Sequence, residues 1–74
     1  MDGSRDGEIK AMVAADIANG APSTYIRICP GEDCRAVGMV AVEAARANGV
    51  DADWGAAVTA NGPACGVYYL ERFR

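Results

Sequence analysis

Apolar residues recur at helical spacing in a first segment, which runs from Glu8 to Asn19. Asp6 is available as the N-cap of this helix, and Gly20 supplies its stop. The apolar face consists of four residues: Ile9, Met12, Val13 and Ile17. A helix that docks on a partner would have the same apolar face, but we favour the interpretation that this face packs on the domain's own sheet. Residues 1–7 are rich in Gly and Asp, and we expect them to be mobile.

A second helical pattern begins after the first two cysteines and extends to about Asn48, with Gly49 as its C-terminal stop. Gly31 or Asp33 is the candidate N-cap. Three- and four-residue spacing places five small or apolar side chains on one face: Cys34, Val37, Ala41, Ala44 and Ala45. Gly38 lies inside this helix at a cost of about 1 kcal/mol relative to Ala. It therefore predicts that a neighbouring element approaches the helix backbone closely.

The alternation of side chains predicts a first strand. In the segment from Thr24 to Cys29, Tyr25, Arg27 and Cys29 fall on one face, and Ile26 and Ile28 on the other. An exposed Arg27 at a sheet edge is favoured over an Arg27 that tunes the Cys29 thiol.

Two further strands are expected in the C-terminal part of the chain. The second half of residues 50–60 reads as a strand, the composition of residues 61–66 predicts a turn, and residues 67–73 form the last strand. A strand-helix-strand unit favours a right-handed parallel crossover, and a tight turn makes the last two strands antiparallel.

These elements predict an α/β fold at the border with α+β, with helices and sheet in two layers. The element order is helix, strand, helix, strand, strand. We expect one small domain over residues 8–74. Small side chains should fill its core around a few larger ones: Ile26, Ile28, Trp54, Tyr68, Tyr69, Leu70 and Phe73.

Composition and charge restrict the partners. The 74 residues carry a formal charge of −3, and the seven Lys and Arg residues form no run. Nucleic acid is therefore a poor partner, whereas a basic protein surface is complementary. No apolar stretch has the length of a membrane span, and the first residues do not resemble a signal peptide. We expect a cytoplasmic protein that does not bind membranes and that has a larger protein partner; a homo-oligomer is also compatible with these features.

The chain contains no His, which removes imidazole acid-base catalysis and Cys-His nucleophile pairs. Glu32 and Asp33 are the only adjacent acidic pair, and they suit a helix N-terminus better than a catalytic couple. We therefore expect no independent enzymatic activity.

The candidate chemistry lies in three cysteines: Cys29, Cys34 and Cys65. Thiolates bind soft metals and iron-sulfur clusters, and a 2Fe-2S cluster usually takes four of them. Three ordinary buried or half-buried thiols with no cofactor are the alternative. A thiol redox role for Cys29 and Cys34 is a third, weaker interpretation, which needs their Cα atoms within about 7 Å of each other.

Three stretches resemble thioredoxin-like ferredoxins, and resemble even more the thioredoxin-like domains that begin the flavin-carrying subunits of soluble formate dehydrogenases, hydrogenases and NADH dehydrogenases. The stretches are Ile28-Cys29-Pro30-Gly31-Glu32-Asp33-Cys34-Arg35-Ala36-Val37-Gly38, Ala41-Val42-Glu43-Ala44-Ala45 and Asn61-Gly62-Pro63-Ala64-Cys65-Gly66-Val67-Tyr68-Tyr69-Leu70-Glu71. The resemblance covers roughly residues 24–71 and implies a truncated thioredoxin-like fold, because the chain ends before the family's last strand and helix.

The resemblance also implies a ligand set. Cys29 and Cys34 match the family's Cys-x4-Cys pair, and Cys65 matches the second member of its Cys-x3-Cys pair. Asn61 stands where the family has the remaining cysteine. Some family members have lost their ligands and kept the fold, so the missing ligand favours a chain without a cofactor over one with a 2Fe-2S cluster.

Two functional classes follow. The first is a ferredoxin-like or vestigial electron-transfer or docking module that associates with a larger oxidoreductase. The second is a small, acidic, stand-alone interaction protein, such as a phage-type inhibitor or adaptor, that binds a basic protein surface and has no redox role.

Overall fold

The computed structural model describes residues 4–72 and places the side chains of residues 5–70. It contains two helices and three strands in the predicted order: α1 (Ser4–Ala18), β1 (Ser23–Arg27), α2 (Cys34–Ala47), β2 (Val50–Thr59) and β3 (Gly62–Arg72). Both helices pack on the same face of the sheet, which gives the predicted two-layer arrangement. With its antiparallel sheet, the fold is mixed α+β.

The three strands are ordered β1-β3-β2, with β3 in the centre and antiparallel to both neighbours. The crossover through α2 connects two strands of the same direction, as expected for a strand-helix-strand unit. These two strands do not pair with each other, because β3 lies between them. The central part of β3, Ala64–Val67, is buried, which is typical of a strand with neighbours on both sides.

The core lies between the sheet and the two helices. The predicted apolar faces of both helices are confirmed, with Ile9, Val13 and Ile17 buried in α1 and Val37, Ala41, Ala44 and Ala45 buried in α2. Helix α1 packs on α2 and β1, so its stripe serves the domain itself, as favoured above. Among the larger predicted core residues, Ile26 is buried, and Ile28, Trp54 and Tyr69 are half-buried.

The prediction that Tyr68 and Leu70 belong to the core is wrong. Cys65 and Val67 point towards the helices and are fully buried, and side chains alternate along a strand. Tyr68 and Leu70 therefore point away from the helices and are exposed. Phe73 lies outside the described residues.

Helix α1 begins at Ser4, four residues before the predicted start at Glu8, so Asp6 is not its N-cap. Residues 4–7 of the segment expected to be mobile belong to this helix, and residues 1–3 lie outside the described part. The early start places the Arg5 guanidinium 3.0 Å from the Glu32 carboxylate and 3.0 Å from the Arg27 carbonyl oxygen. The first turn is thus tied to the loop between β1 and α2.

The prediction of a turn over residues 61–66 is also wrong, because β3 already begins at Gly62. Only Ala60 and Asn61 form the hairpin connection. The carbonyl of Pro63 accepts a hydrogen bond from the Ile28 amide (3.2 Å), one residue beyond the end of β1. Pro63 is accommodated because its missing N–H would lie on this same side, past the end of β1, and not in the ladder with β2. The first half of residues 50–60 is strand as well, so β2 is ten residues long.

Candidate functional site: the cysteine corner, the open sheet face and the β2 edge

A tight turn joins β1 to α2 and carries the first two cysteines. The Glu32 amide donates to the Cys29 carbonyl oxygen (2.9 Å), and the Glu32 carboxylate accepts from the Cys29 amide (2.9 Å). Gly31 has a φ of 85°, which favours glycine. Asp33 is the N-cap of α2, and its side chain accepts from the Arg35 amide (3.3 Å). Both acidic residues of the corner thus serve the turn and the helix start.

The structure brings Cys34 and Cys65 together. Cys65 lies on β3 beneath the first turn of α2, where its thiol donates to the Cys34 carbonyl oxygen at 3.5 Å. Burial is the main reason that the pKa of Cys65 rises from 9.0 to about 12, and the neighbouring Cys34 raises it further. All three cysteines are free thiols, with Cys29 and Cys34 half-buried and Cys65 buried. Cys65 is therefore a protonated core thiol at neutral pH.

Asn61, the position of the missing family ligand, does not join this pair. It is exposed at the hairpin tip, and its backbone amide donates to the Thr59 hydroxyl (3.2 Å). At about 3.3 Å per residue along a strand, its Cα lies on the order of 13 Å from that of Cys65. Within residues 4–72, no three His, Cys, Asp or Glu residues are grouped so that they could hold a metal ion.

The sheet has a second face, which no helix of the described chain covers. Three large side chains lie on it, and all are exposed: Tyr25 by 51%, Tyr68 by 39% and Leu70 by 56%. The two tyrosine rings meet edge to face, with centroids 6.1 Å apart and planes at 84°. Hydrogen bonding to Tyr25 is the main reason that the pKa of Tyr68 is raised. We call Tyr25, Tyr68 and Leu70 the open-face patch.

Gly66 makes room for the rings of this patch. A Cβ at Gly66 would lie 2.5 Å from the Tyr68 hydroxyl oxygen and 3.1 Å from a ring carbon of Tyr25. The two tyrosine rings therefore pack against the sheet and cover its backbone at Gly66. The predicted core included Tyr68 and Leu70, so this patch was not expected. Alternation along β3 is the sequence feature that could have placed Tyr68 and Leu70 on the face opposite to Val67 and Tyr69.

The edge of β2 borders a groove against α2. The groove has a volume of about 260 Å³ and is lined by the apolar residues Met39, Val42, Ala52 and Trp54 and by the charged residues Glu43, Arg46 and Asp53. Trp54 packs directly on Gly38, which confirms the predicted close approach to the backbone of α2. The groove thus combines apolar side chains with two carboxylates and one guanidinium.

Comparison of the chain with protein-family models, with curated proteins and with solved structures found no match. None of the helices within residues 4–72 is both long enough and apolar enough to cross a membrane.

Proposed function

We propose that the protein is a non-enzymatic docking module that binds a larger protein through the open-face patch. The observation that carries this proposal is the side-by-side exposure of Tyr25, Tyr68 and Leu70 on the uncovered face of the sheet. Contiguous exposed apolar side chains mark interaction sites on small soluble domains. Tyrosine is especially suited to this role, because its large ring is rigid and its hydroxyl supplies a hydrogen bond.

The negative net charge of the chain favours a partner with a basic surface. The chain has a formal charge of −3, and Asp53 of β2 is the register partner of Tyr68 in the open-face patch. Complementary charge mainly speeds association and selects the partner. We place the module in the cytoplasm, since three free thiols suit a reducing compartment.

Site-specific photo-cross-linking tests the proposal. A photoreactive phenylalanine analogue replaces Tyr68 in one variant and Ala15 in a control, because Ala15 is exposed on α1 in the other layer of the fold. Both variants are produced in the cells from which the chain derives and are irradiated there. We expect one defined protein adduct from position 68 and none from position 15. Equal adducts at both positions, or none at position 68, would overturn the proposal.

A ferredoxin-like electron-transfer module remains the second candidate, favoured by the proximity of Cys34 and Cys65 and by the family resemblance. Iron and sulfide contents and the visible spectrum of anaerobically purified protein test it. Bound iron with iron-sulfur absorption would support electron transfer. Partner binding that survives replacement of all three cysteines by Ser would support docking alone.

A further inference from the structure

We infer that the outer edge of β2, from Trp54 to Thr59, binds an extended basic segment of the partner, which adds to the sheet as a fourth strand. This inference rests on the proposed docking function and names the chemistry of the partner. It is carried by the hydrogen-bonding direction of β2, by the uncharged second half of this strand and by the groove that borders Trp54, where that half begins.

The direction of the backbone groups follows from two side-chain contacts. The Ala52 amide donates to the Asp51 carboxylate (3.0 Å) and the Trp54 amide donates to the Asp53 carboxylate (2.9 Å). These amides therefore point away from β3. Hydrogen-bonded and outward-pointing residues alternate in an antiparallel ladder, and the register is regular from Ala52 to Thr59. Ala56 and Val58 consequently present their amide and carbonyl groups at the outer edge.

The two halves of the edge differ. In the first half, the Asp51 and Asp53 side chains occupy the outward amides, and the register is irregular between Val50 and Ala52. In the second half, the residues on either side of Ala56 and Val58 are Gly55, Ala57 and Thr59, which carry no charge. Edge strands are usually protected by Lys, Pro, bulges or short length. The second half of β2 has none of these protections.

The other edge of the sheet is protected. Strand β1 has only five residues, follows Pro22 and ends at the exposed Arg27. Its last carbonyl already accepts from the Arg5 guanidinium. An added strand is therefore expected on β2. There Val58 is 88% exposed and offers an apolar side chain next to the open backbone groups.

The groove between β2 and α2 indicates which side chains the added strand carries. Every second side chain of that strand points towards the helical layer, and at the Trp54 end of the edge these side chains reach the apolar residues Met39, Val42 and Trp54 of the groove. Arg46 also lines the groove, and its guanidinium lies 3.6 Å from the carboxylate of Asp51, which is not part of the lining. Glu43 and Asp53 have no cationic partner among the described side chains. The segment that fits therefore combines apolar residues with Lys or Arg.

A second copy of the chain fits this edge less well. Each copy has a formal charge of −3 and would bring a second set of Asp51 and Asp53 carboxylates to the same edge. Like charges at an interface oppose association, whereas a basic segment is attracted. The expected state of the isolated chain is a monomer.

A peptide selection tests the inference. A random library of displayed peptides, each about ten residues long so that it can pair with the whole strand, is selected on the full chain. The enriched peptides are synthesised and measured by fluorescence anisotropy. We expect them to alternate apolar and polar residues and to contain Lys or Arg.

Variants assign the binding to the edge. Ala56→Pro and Val58→Pro each remove one outward amide, and loss of one such hydrogen bond should weaken binding by about tenfold. Val58→Thr keeps the amide and should therefore weaken binding much less than Val58→Pro does. The double variant E43Q/D53N should bind more weakly and with less dependence on salt. Circular dichroism confirms that each variant is folded.

Four outcomes would overturn the inference: folded proline variants that bind the peptides unchanged, enriched peptides without basic residues, a library that yields no binder, or a chain that is a dimer by sedimentation and becomes a monomer in Val58→Pro. Photo-cross-linking at position 68 in the Val58→Pro background separates this inference from the proposed function. A retained adduct beside lost peptide binding supports both. Absence of the adduct in the original chain overturns the docking function itself.

Discussion

The indole of Trp54 lies directly on the backbone of Gly38, so that a Cβ at position 38 would fall 2.6 Å from two ring atoms. This contact joins β2 to α2 and forms one wall of the groove at the β2 edge. It accounts for a glycine in the middle of a helix, because only a residue without a side chain lets the indole approach.

Gly38→Ala should therefore destabilise the fold. The added methyl group gains helix propensity of about 1 kcal/mol, but the overlap with the rigid indole costs more, and we expect a net loss of about 1–3 kcal/mol. Urea unfolding measures the change. Gly7→Ala is the matched control, since a Cβ there meets nothing within 4 Å and should stabilise α1 slightly. A Gly38→Ala protein as stable as Gly7→Ala would contradict the close packing.

Thr24 links three elements through its buried hydroxyl. It donates to the Asp16 carboxylate (2.6 Å) and is hydrogen-bonded to the Tyr69 hydroxyl. Thr24→Val removes both bonds and leaves two polar groups without this partner, so we expect a loss of about 1–3 kcal/mol in the free energy of unfolding. Thr24→Ser keeps the hydroxyl and should lose less. A Thr24→Val protein that loses no more stability than Thr24→Ser would contradict a dominant contribution from the hydroxyl.

Alkaline pH should weaken the fold through Cys65. The unfolded thiol ionises near pH 9.0 and the folded one near 12, so between these values the unfolded state releases the proton first. The contribution of the Cys65 thiol to the free energy of unfolding is thus fully present below pH 9, and it falls by about 1 kcal/mol per pH unit between pH 9 and 12. Urea unfolding at pH 8 and at pH 10 measures this. Cys65→Ala should show a smaller decrease over the same interval; an identical decrease would exclude the thiol as its source.

The stabilities of two proline variants test which amides of β2 point towards β3 and which point outwards. Ala57 lies between two outward residues, so its amide points into the ladder with β3. Ala57→Pro removes a ladder hydrogen bond and leaves its acceptor unpaired, so it should destabilise the fold by about 1–3 kcal/mol. Val58→Pro should cost much less, because no ladder hydrogen bond is lost. If the two prolines have reversed effects in urea unfolding, the assignment of the outer edge is wrong.

Periodicity predicted the elements well but did not determine which strand face is covered. Tyr68 and Tyr69 are adjacent and chemically alike, and only the register of β3 against the helices decides that Tyr69 is half-buried while Tyr68 is exposed. Gly62 and Pro63 are typical of turns, yet pairing with β1 and β2 overrides that local preference. The proximity of Cys34 and Cys65 likewise depends on long-range register, which spacing along the chain does not contain.

Amide hydrogen exchange at Ala56 and Val58 tests the docking edge most directly. In the isolated chain, these two amides should exchange much faster than those of Gly55 and Ala57, which face β3. Addition of a selected basic peptide should slow Ala56 and Val58 and leave Gly55 and Ala57 unchanged. Amides at 56 and 58 that stay fast in the peptide-saturated protein, or that are already slow in the free monomer, would contradict strand addition at this edge.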